Sequence, residues 1–289
     1  MRCLYLLFIL FFGNVMAYDY YLSMCAMFKN EADILKEWIE FHRIVGIEHF
    51  YLFNNDSEDN YLEILDSYIK EGIVTLIEWP SSPEERDKGN WDSRHKRAFD
   101  HCVTMSKGVS RWVAFLDIDE FIVPMQHDSL STLMRNYESY SGLKIYWQDF
   151  GTGNVEKIPD GKTMVESLLF RAPQFHPSNG NFKMICNPRH IQCKDVHDVT
   201  WIRRSRGSVN AHFNTDANQW GVEIVRLQHY WTRDEGHFLQ KKIPRREIYD
   251  GRKYTEAEID EIRSLFNQEF DDSIMRFVPE LRKRMGFDQ

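Results

Sequence analysis

"RWVAFLDIDEF", Arg111 to Phe121, sets an apolar run from Trp112 to Leu116 directly against three carboxylates, Asp117, Asp119 and Glu120. An uninterrupted apolar run of this length reads as a strand buried on both faces. Acids at its tip then lie where the buried strand meets a surface. Two aspartates separated by one residue can turn both carboxylates toward one hard cation, and Mg²⁺ or Mn²⁺ prefers such oxygen ligands, often together with phosphate oxygens. The plainer reading is that one Asp caps the following turn and the other is solvated. What lies upstream favours the site.

Upstream of Arg111 the chain alternates. "YYLSMCAMF" (20–28) reads as a strand, and "NEADILKEWIEFHRIVG" (30–46) as a helix with Asn30 as N-cap and Gly46 as its stop. "EHFYLFN" (48–54) is a second strand. "DSEDNYLEILDSYIKEG" (56–72) is a helix capped by Ser57 or a nearby Asp. "IVTLIEW" (73–79) is a third strand, "PSSPEERDKGN" (80–90) a polar loop and "WDSRHKRAFDHCVTMS" (91–106) a third helix. Strands alternating with helices predict a mostly parallel sheet covered on both faces, an α/β, Rossmann-like fold. In such sheets ligands bind at the carboxyl ends of the strands. Polar clusters fall at those ends: Lys29-Asn30-Glu31, Asn54-Asn55-Asp56, the loop at Pro80, and Asp117-Ile118-Asp119.

Beyond Pro124 the alternation loosens. "SLSTLMRNYES" (129–139) is helical and "GLKIYWQDFG" (142–151) a strand, followed by short strands among Gly, Pro and Asn loops. From about Ile243 the pattern is helical. Thr255 and Glu258 stand in capping-box spacing, and Pro279 interrupts the last helix. The expected organisation is residues 1–17, a main domain over 18–242 and a helical C-terminal section over 243–289.

With 43% hydrophobic and 28% charged residues the composition is that of an ordinary globular chain, not a disordered one. A net charge of −8 argues against a nucleic-acid partner. The first 17 residues carry one Arg, an apolar run from Cys3 to Phe12, and Val15 and Ala17 at the −3 and −1 positions of a small-residue cleavage site. That is the pattern of a secretory signal peptide, and it predicts entry into the secretory pathway or secretion. An uncleaved membrane anchor is the alternative, and is the only membrane contact expected. Removal of Cys3 would leave Cys25, Cys102, Cys186 and Cys193, whose pairing the sequence leaves open.

The blocks "MCAMFKNEADILKEWIEFHRIVGIEHFYLFNNDSEDN", "FDHC", "RWVAFLDIDEFIVP", "WQDFGTGN" and "QHYWTRDEGHFLQKK", in that order between Tyr20 and Lys242, resemble glycosyltransferase family 92 and, more broadly, glycosyltransferases of the GT-A type. The resemblance implies a GT-A fold and transfer of a hexose from a nucleotide sugar, such as a UDP-sugar, to a glycan or glycoconjugate acceptor with Mn²⁺ (or Mg²⁺). Characterised relatives resemble inverting β-galactosyltransferases. Asp117 and Asp119 would hold the metal against the donor diphosphate, with His229 of "QHYW" as third ligand. Asn30, Glu31 and Asp56 lie where such folds hold the nucleoside. Arg94, His95 and Lys96, early in the third helix, and Lys241 and Lys242, after the His229 block, are cations for the diphosphate. The glycines of "FGTGN" (150–154) would let backbone approach a sugar.

Inversion needs a general base for the acceptor hydroxyl. Asp149 is the candidate, with Glu120, Glu166 and Asp198 competing. His197 is a candidate contact to acceptor or metal. Two other readings compete. One is a GT-A domain that binds glycans without turnover. The other is a haloacid-dehalogenase-type phosphatase, in which D-x-D also follows an apolar strand; there, three strand–helix units would not ordinarily precede the motif.

Overall fold

The computed structural model describes residues 18–82, 91–202 and 204–287, so the expected signal sequence lies outside the described residues. The alternating half forms as read. Strand β1 (Tyr20–Phe28), helix α1 (Ala32–Ile44), β2 (His49–Asn54), α2 (Tyr61–Lys70), β3 (Val74–Glu78), α3 (Trp91–Ser106) and β4 (Ser110–Phe115) follow in order. The second half adds β5 (Glu120–Pro124), α4 (Leu130–Arg135), β6 (Gly142–Asp149), α5 (Met164–Ser167), β7 (Phe170–Arg171), β8 (Phe182–Cys186), β9 (Ile191–Cys193), β10 (Val199–Trp201), β11 (Ser208–Val209) and β12 (Val225–His229). The C-terminal section holds α6 (Glu235–His237), a π-helical turn (Phe238–Lys242), α7 (Ile243–Asp250), α8 (Glu256–Phe266), β13 (Glu269–Phe270) and α9 (Val278–Met285).

The main sheet runs β3-β2-β1-β4-β8-β6-β12-β5. Its first four strands are parallel; β8 is antiparallel to both β4 and β6, and β12 runs parallel to β6 but antiparallel to β5. The GT-A-like expectation, a mixed and mostly parallel sheet flanked by helices with a helical C-terminal section, is met.

Apolar side chains pack on both faces. On one, α1, with Leu35, Trp38, Ile39 and Phe41 at helical spacing, covers Phe50, Trp112 and Phe121. On the other, Ala98, Phe99, Cys102 and Val103 of α3 cover Cys25, Phe115 and Met184. The C-terminal section packs onto α1: Phe41 meets Phe277 edge-on at 5.7 Å, and Lys36 donates to the Met285 carbonyl at 3.2 Å. Cys25, Cys102, Cys186 and Cys193 are buried free thiols. Among the described residues no helix is long and apolar enough to cross a membrane.

Three local expectations change. Asn30 does not cap α1: it adopts φ +55°, and its side-chain carbonyl accepts from the Glu58 N–H at 2.7 Å, tying the end of β1 to the loop after β2. Ser57 does not cap α2, because its hydroxyl accepts from the Asn30 N–H at 3.0 Å. Gly151 serves packing rather than sugar approach, since a Cβ there would stand 2.6 Å from the Phe266 carbonyl and collide with Asn267.

His42 carries a stability signature. It is fully buried; its Nδ1–H donates to the Trp38 carbonyl at 2.9 Å and its Nε2 accepts from the Ile122 N–H at 3.2 Å. Burial, only partly offset by the Trp38 carbonyl, pushes its pKa down from 6.5 to about 3. The folded value lies below the unfolded one. Its contribution is therefore complete above pH 6.5 and is lost as pH falls toward 3. Between pH 6.5 and 4 the loss amounts to about 3 kcal/mol. Urea unfolding of His42→Leu should show a flatter pH dependence in that window than the parent chain; identical slopes would assign the acid sensitivity to other groups.

Candidate active site

A cavity of about 650 Å³ opens at the carboxyl ends of the central strands. Lys29 and Glu31 enter its wall from the end of β1, and Asp117 and Asp119 from the tight turn after β4. Trp147 enters from β6, His229 from β12, and Lys242, Arg245 and Tyr249 from the π-helical turn and α7. The acidic tip of the opening stretch is therefore a turn and not a loose end. Glu120 begins β5, its carboxylate accepts the Asp117 N–H at 2.8 Å, and β5 leads the chain back along β12.

Each aspartate has its own cation. Asp117 Oδ2 accepts from Lys183 Nζ at 2.8 Å, with His95 Nε2 3.4 Å from its other oxygen. Asp119 Oδ2 accepts from Lys242 Nζ at 2.8 Å. Burial opposes ionisation of both. The opposing charges prevail: Lys183, then His95, hold Asp117 down to about 2, and Lys242, then His229 and Arg233, hold Asp119 far below the usual carboxylate range. Glu120 goes the other way. Its burial, with Asp117 beside it, outweighs Lys183 at 3.9 Å and pushes it up to about 8.

His229 lies against the ring of Trp147, centroids 4.2 Å apart. Its Nδ1 is 2.7 Å from Asp149 Oδ1, while its Nε2 faces Asp119 Oδ1 at 3.8 Å. Burial lowers its pKa, but the bond to Asp149 and the neighbouring acids raise it on balance. Glu31 is held by Arg233, which also reaches Asp33 at 3.3 Å. Arg233 is buried and itself adopts φ +54°, a backbone strain tolerated where surroundings over-determine it.

The structure thus brings together Glu31, His95, Asp117, Asp119, His197, His229 and Lys242. Four predicted donor contacts lie elsewhere among the described residues. Asn30 bridges two loops; Asp56 Oδ2 accepts from the Ser81 N–H at 3.0 Å; Arg94 donates to the Ser81 hydroxyl; Lys96 pairs with Asp100 at 2.6 Å, one turn along α3. Their polar side chains are committed to loop closure and a helical i,i+4 pair. Lys241 is exposed outside the cavity wall.

Asp149, the predicted base, stands buried behind the His229 imidazole and not on the cavity wall. Glu166 is bound by Arg282 at 2.8 Å and Asp198 by Lys194 at 3.6 Å, also off that wall. Residues that the sequence reading missed are Lys183, Arg233, Trp147, Arg245 and Tyr249. Lys183 had one signal, a lone lysine inside the apolar run "FKMIC" (182–186), where only a buried partner would tolerate it.

Paired acids and cations thus line a cavity at the carboxyl ends of the strands, with Trp147, Trp231 and Tyr249 also on its wall. The sequence model of the family described as Glycosyltransferase family 92 matches residues 18–270, and the chain belongs to that family, which places it among the glycosyltransferases. A family 92 protein of Ricinus communis is 28% identical over 172 residues, covering 55% of this chain and 28% of that one. Galactan beta-1,4-galactosyltransferase GALS2 of Arabidopsis thaliana is 24% identical over 243 residues, covering 81% of this chain and 43% of that one. The chain thus spans less than half the length of either relative. Among solved structures, Staphylococcus aureus TarS (residues 1–349) is 11% identical with a TM-score of 0.39, over 84% of this chain and 69% of that one.

Proposed function

We propose that the protein transfers a hexose, galactose in the reading favoured by its galactosyltransferase-named relatives, from a nucleotide-diphosphate sugar to a glycan acceptor, with a divalent cation bound in the cavity. One observation carries this reading. Asp119 Oδ1 and His229 Nε2 face each other at 3.8 Å, beyond hydrogen-bond reach, on the wall of a cavity large enough for a nucleotide sugar.

A carboxylate and an imidazole suit Mn²⁺ chemically. Among the described residues no three His, Cys, Asp or Glu side chains gather closely enough to hold an ion unaided. A donor set this sparse fits an ion that takes its remaining ligands from phosphate and water. Asp119 and His229 would hold it, and when bound it acts as a Lewis acid on the departing diphosphate. Asp117 Oδ2 accepts from Lys183 just as Asp119 Oδ2 accepts from Lys242, and its other oxygen, beside His95, would be a further candidate ligand for the ion. Lys242 and Arg245 supply positive charge for the diphosphate, and Trp147 and Trp231 flat faces for rings. Among the described residues, Glu31 and Asp250 are the wall carboxylates outside the two acid–lysine pairs. With Asp149 behind the imidazole, these two are the candidates to deprotonate the acceptor.

Isothermal titration of the protein with UDP, with and without Mn²⁺, tests the reading. Binding is expected only when Mn²⁺ is present. Equal binding in its absence would remove the metal from the site, and no binding in either case would remove the uridine donor.

A further inference from the structure

Asp149 and His229 are direct partners in the parallel pairing of β6 with β12. Their contact is therefore set by strand register and does not depend on a mobile loop. Asp149 is itself pinned from behind. Its N–H donates to Asn179 Oδ1 at 2.9 Å, its carbonyl accepts from the Ala172 N–H at 2.9 Å, and the Asn179 amide donates to the Pro173 and Gln174 carbonyls. A carboxylate only accepts hydrogen bonds, so the 2.7 Å contact puts a proton on His229 Nδ1. That leaves Nε2 as the atom turned to the cavity, opposite Asp119. Trp147, two residues before Asp149 on the same strand, lies against the imidazole and limits its swing.

We infer that Asp149 is a positioning residue: it locks the orientation and tautomer of His229 so that Nε2 presents its lone pair beside Asp119, and thereby makes the imidazole a cation ligand. The inference rests on the proposed metal-dependent reading and deepens it. Carboxylates behind ligating histidines commonly fix the ring in this way, and their loss costs 10–100-fold in metal affinity. A catalytic base would need to reach the acceptor, whereas this carboxylate is spent on the ring.

The test uses the full chain with UDP present, titrated with Mn²⁺ against a UDP-only control while free Mn²⁺ is followed by electron paramagnetic resonance. Asp149→Asn keeps the shape, but its amide can donate to Nδ1 and force the proton onto Nε2. It should weaken Mn²⁺ binding by about 10–100-fold with little change in melting temperature. In a His229→Ala background, Asp149→Asn should cost nothing further, because the two act as one unit. Undiminished Mn²⁺ affinity in Asp149→Asn, or a full additional loss beside His229→Ala, would overturn the inference. A second measurement stands apart from the metal. The ¹⁵N shifts of the His229 ring, neutral at alkaline pH in metal-free protein, should report protonated Nδ1. Protonated Nε2 overturns the inference whatever the metal does. Protonated Nδ1 with no Mn²⁺ binding by the parent chain beyond the UDP-only control overturns the ligand role together with the metal-dependent reading, and leaves only the ring orientation.

Discussion

Asp119→Ala should abolish Mn²⁺-dependent binding of UDP and lower sugar transfer by about 10³-fold, the scale of several kcal/mol of lost charge stabilisation. Asp119 is the acid nearest to both His229 Nε2 and Lys242, and the surrounding cations keep it ionised across the working pH range. Its removal takes one ligand from the cation and leaves Lys242 and His229 without this neighbouring anion, while Arg233 keeps Glu31 and Asp33. The fold should survive, since the side chain lies on the cavity wall and Lys242 can turn toward the cavity. Asp119→Asn separates charge from shape: it retains hydrogen-bonding atoms and should lose nearly as much. The measurement is titration with UDP and Mn²⁺ beside a melting curve. Parent-like Mn²⁺-dependent binding in either variant would sink the assignment.

Lys183→Met should destabilise the protein by about 3–5 kcal/mol at pH 8, the cost of leaving a buried charge without its partner. Lys183 is 1% exposed and stands between Asp117 and Glu120, which is itself wholly buried. Methionine fills the space and leaves two carboxylates facing each other. The pH dependence identifies the cause. Glu120 already has a folded pKa raised to about 8, so its ionisation penalises the fold as pH rises from 4.5 through 8. Without Lys183 both carboxyls are pushed upward, and the folded chain binds more protons than the unfolded one over a wider window. Urea unfolding of parent and variant at pH 5 and pH 8 should show the larger difference at pH 8. An equal deficit at both would mean that lost packing, not unpaired charge, is the cause.

Much of the architecture was legible locally. The strand and helix patterns of residues 20–116 are short-range signals, and β1 and α3 form over the stretches read for them. The position of Asp117 and Asp119 at a strand end was legible because the apolar run stops at Asp117; the complete burial of Glu120 was not. The Thr255–Glu258 capping box forms as spaced, because both of its hydrogen bonds lie within one helical turn. The misreadings arose where a side chain had a distant partner. Asn30 resembles an N-cap in its local context, but its amide oxygen finds Glu58, 28 residues away, and the backbone turns left-handed to reach it.

Local pattern was enough to assign the strands and helices of residues 20–116, the parallel pairing their alternation implies, and the place of Asp117 and Asp119 at a carboxyl end, but not β5 or the short strands between 150 and 229. Those properties follow from residue periodicity and caps, which act over a few residues. The site's wiring emerges with the folded chain: Lys183 on Asp117, Lys242 on Asp119, Arg233 on Glu31, and Asp149 behind His229. Each pair joins segments 66 to 202 residues apart. The partners are chosen by the register of β8, β6 and β12 in the assembled sheet and by the π-helical turn at the cavity wall. Alternation within a strand tells which face a residue takes, and only the assembled sheet settles which residue of a distant strand lies beside it.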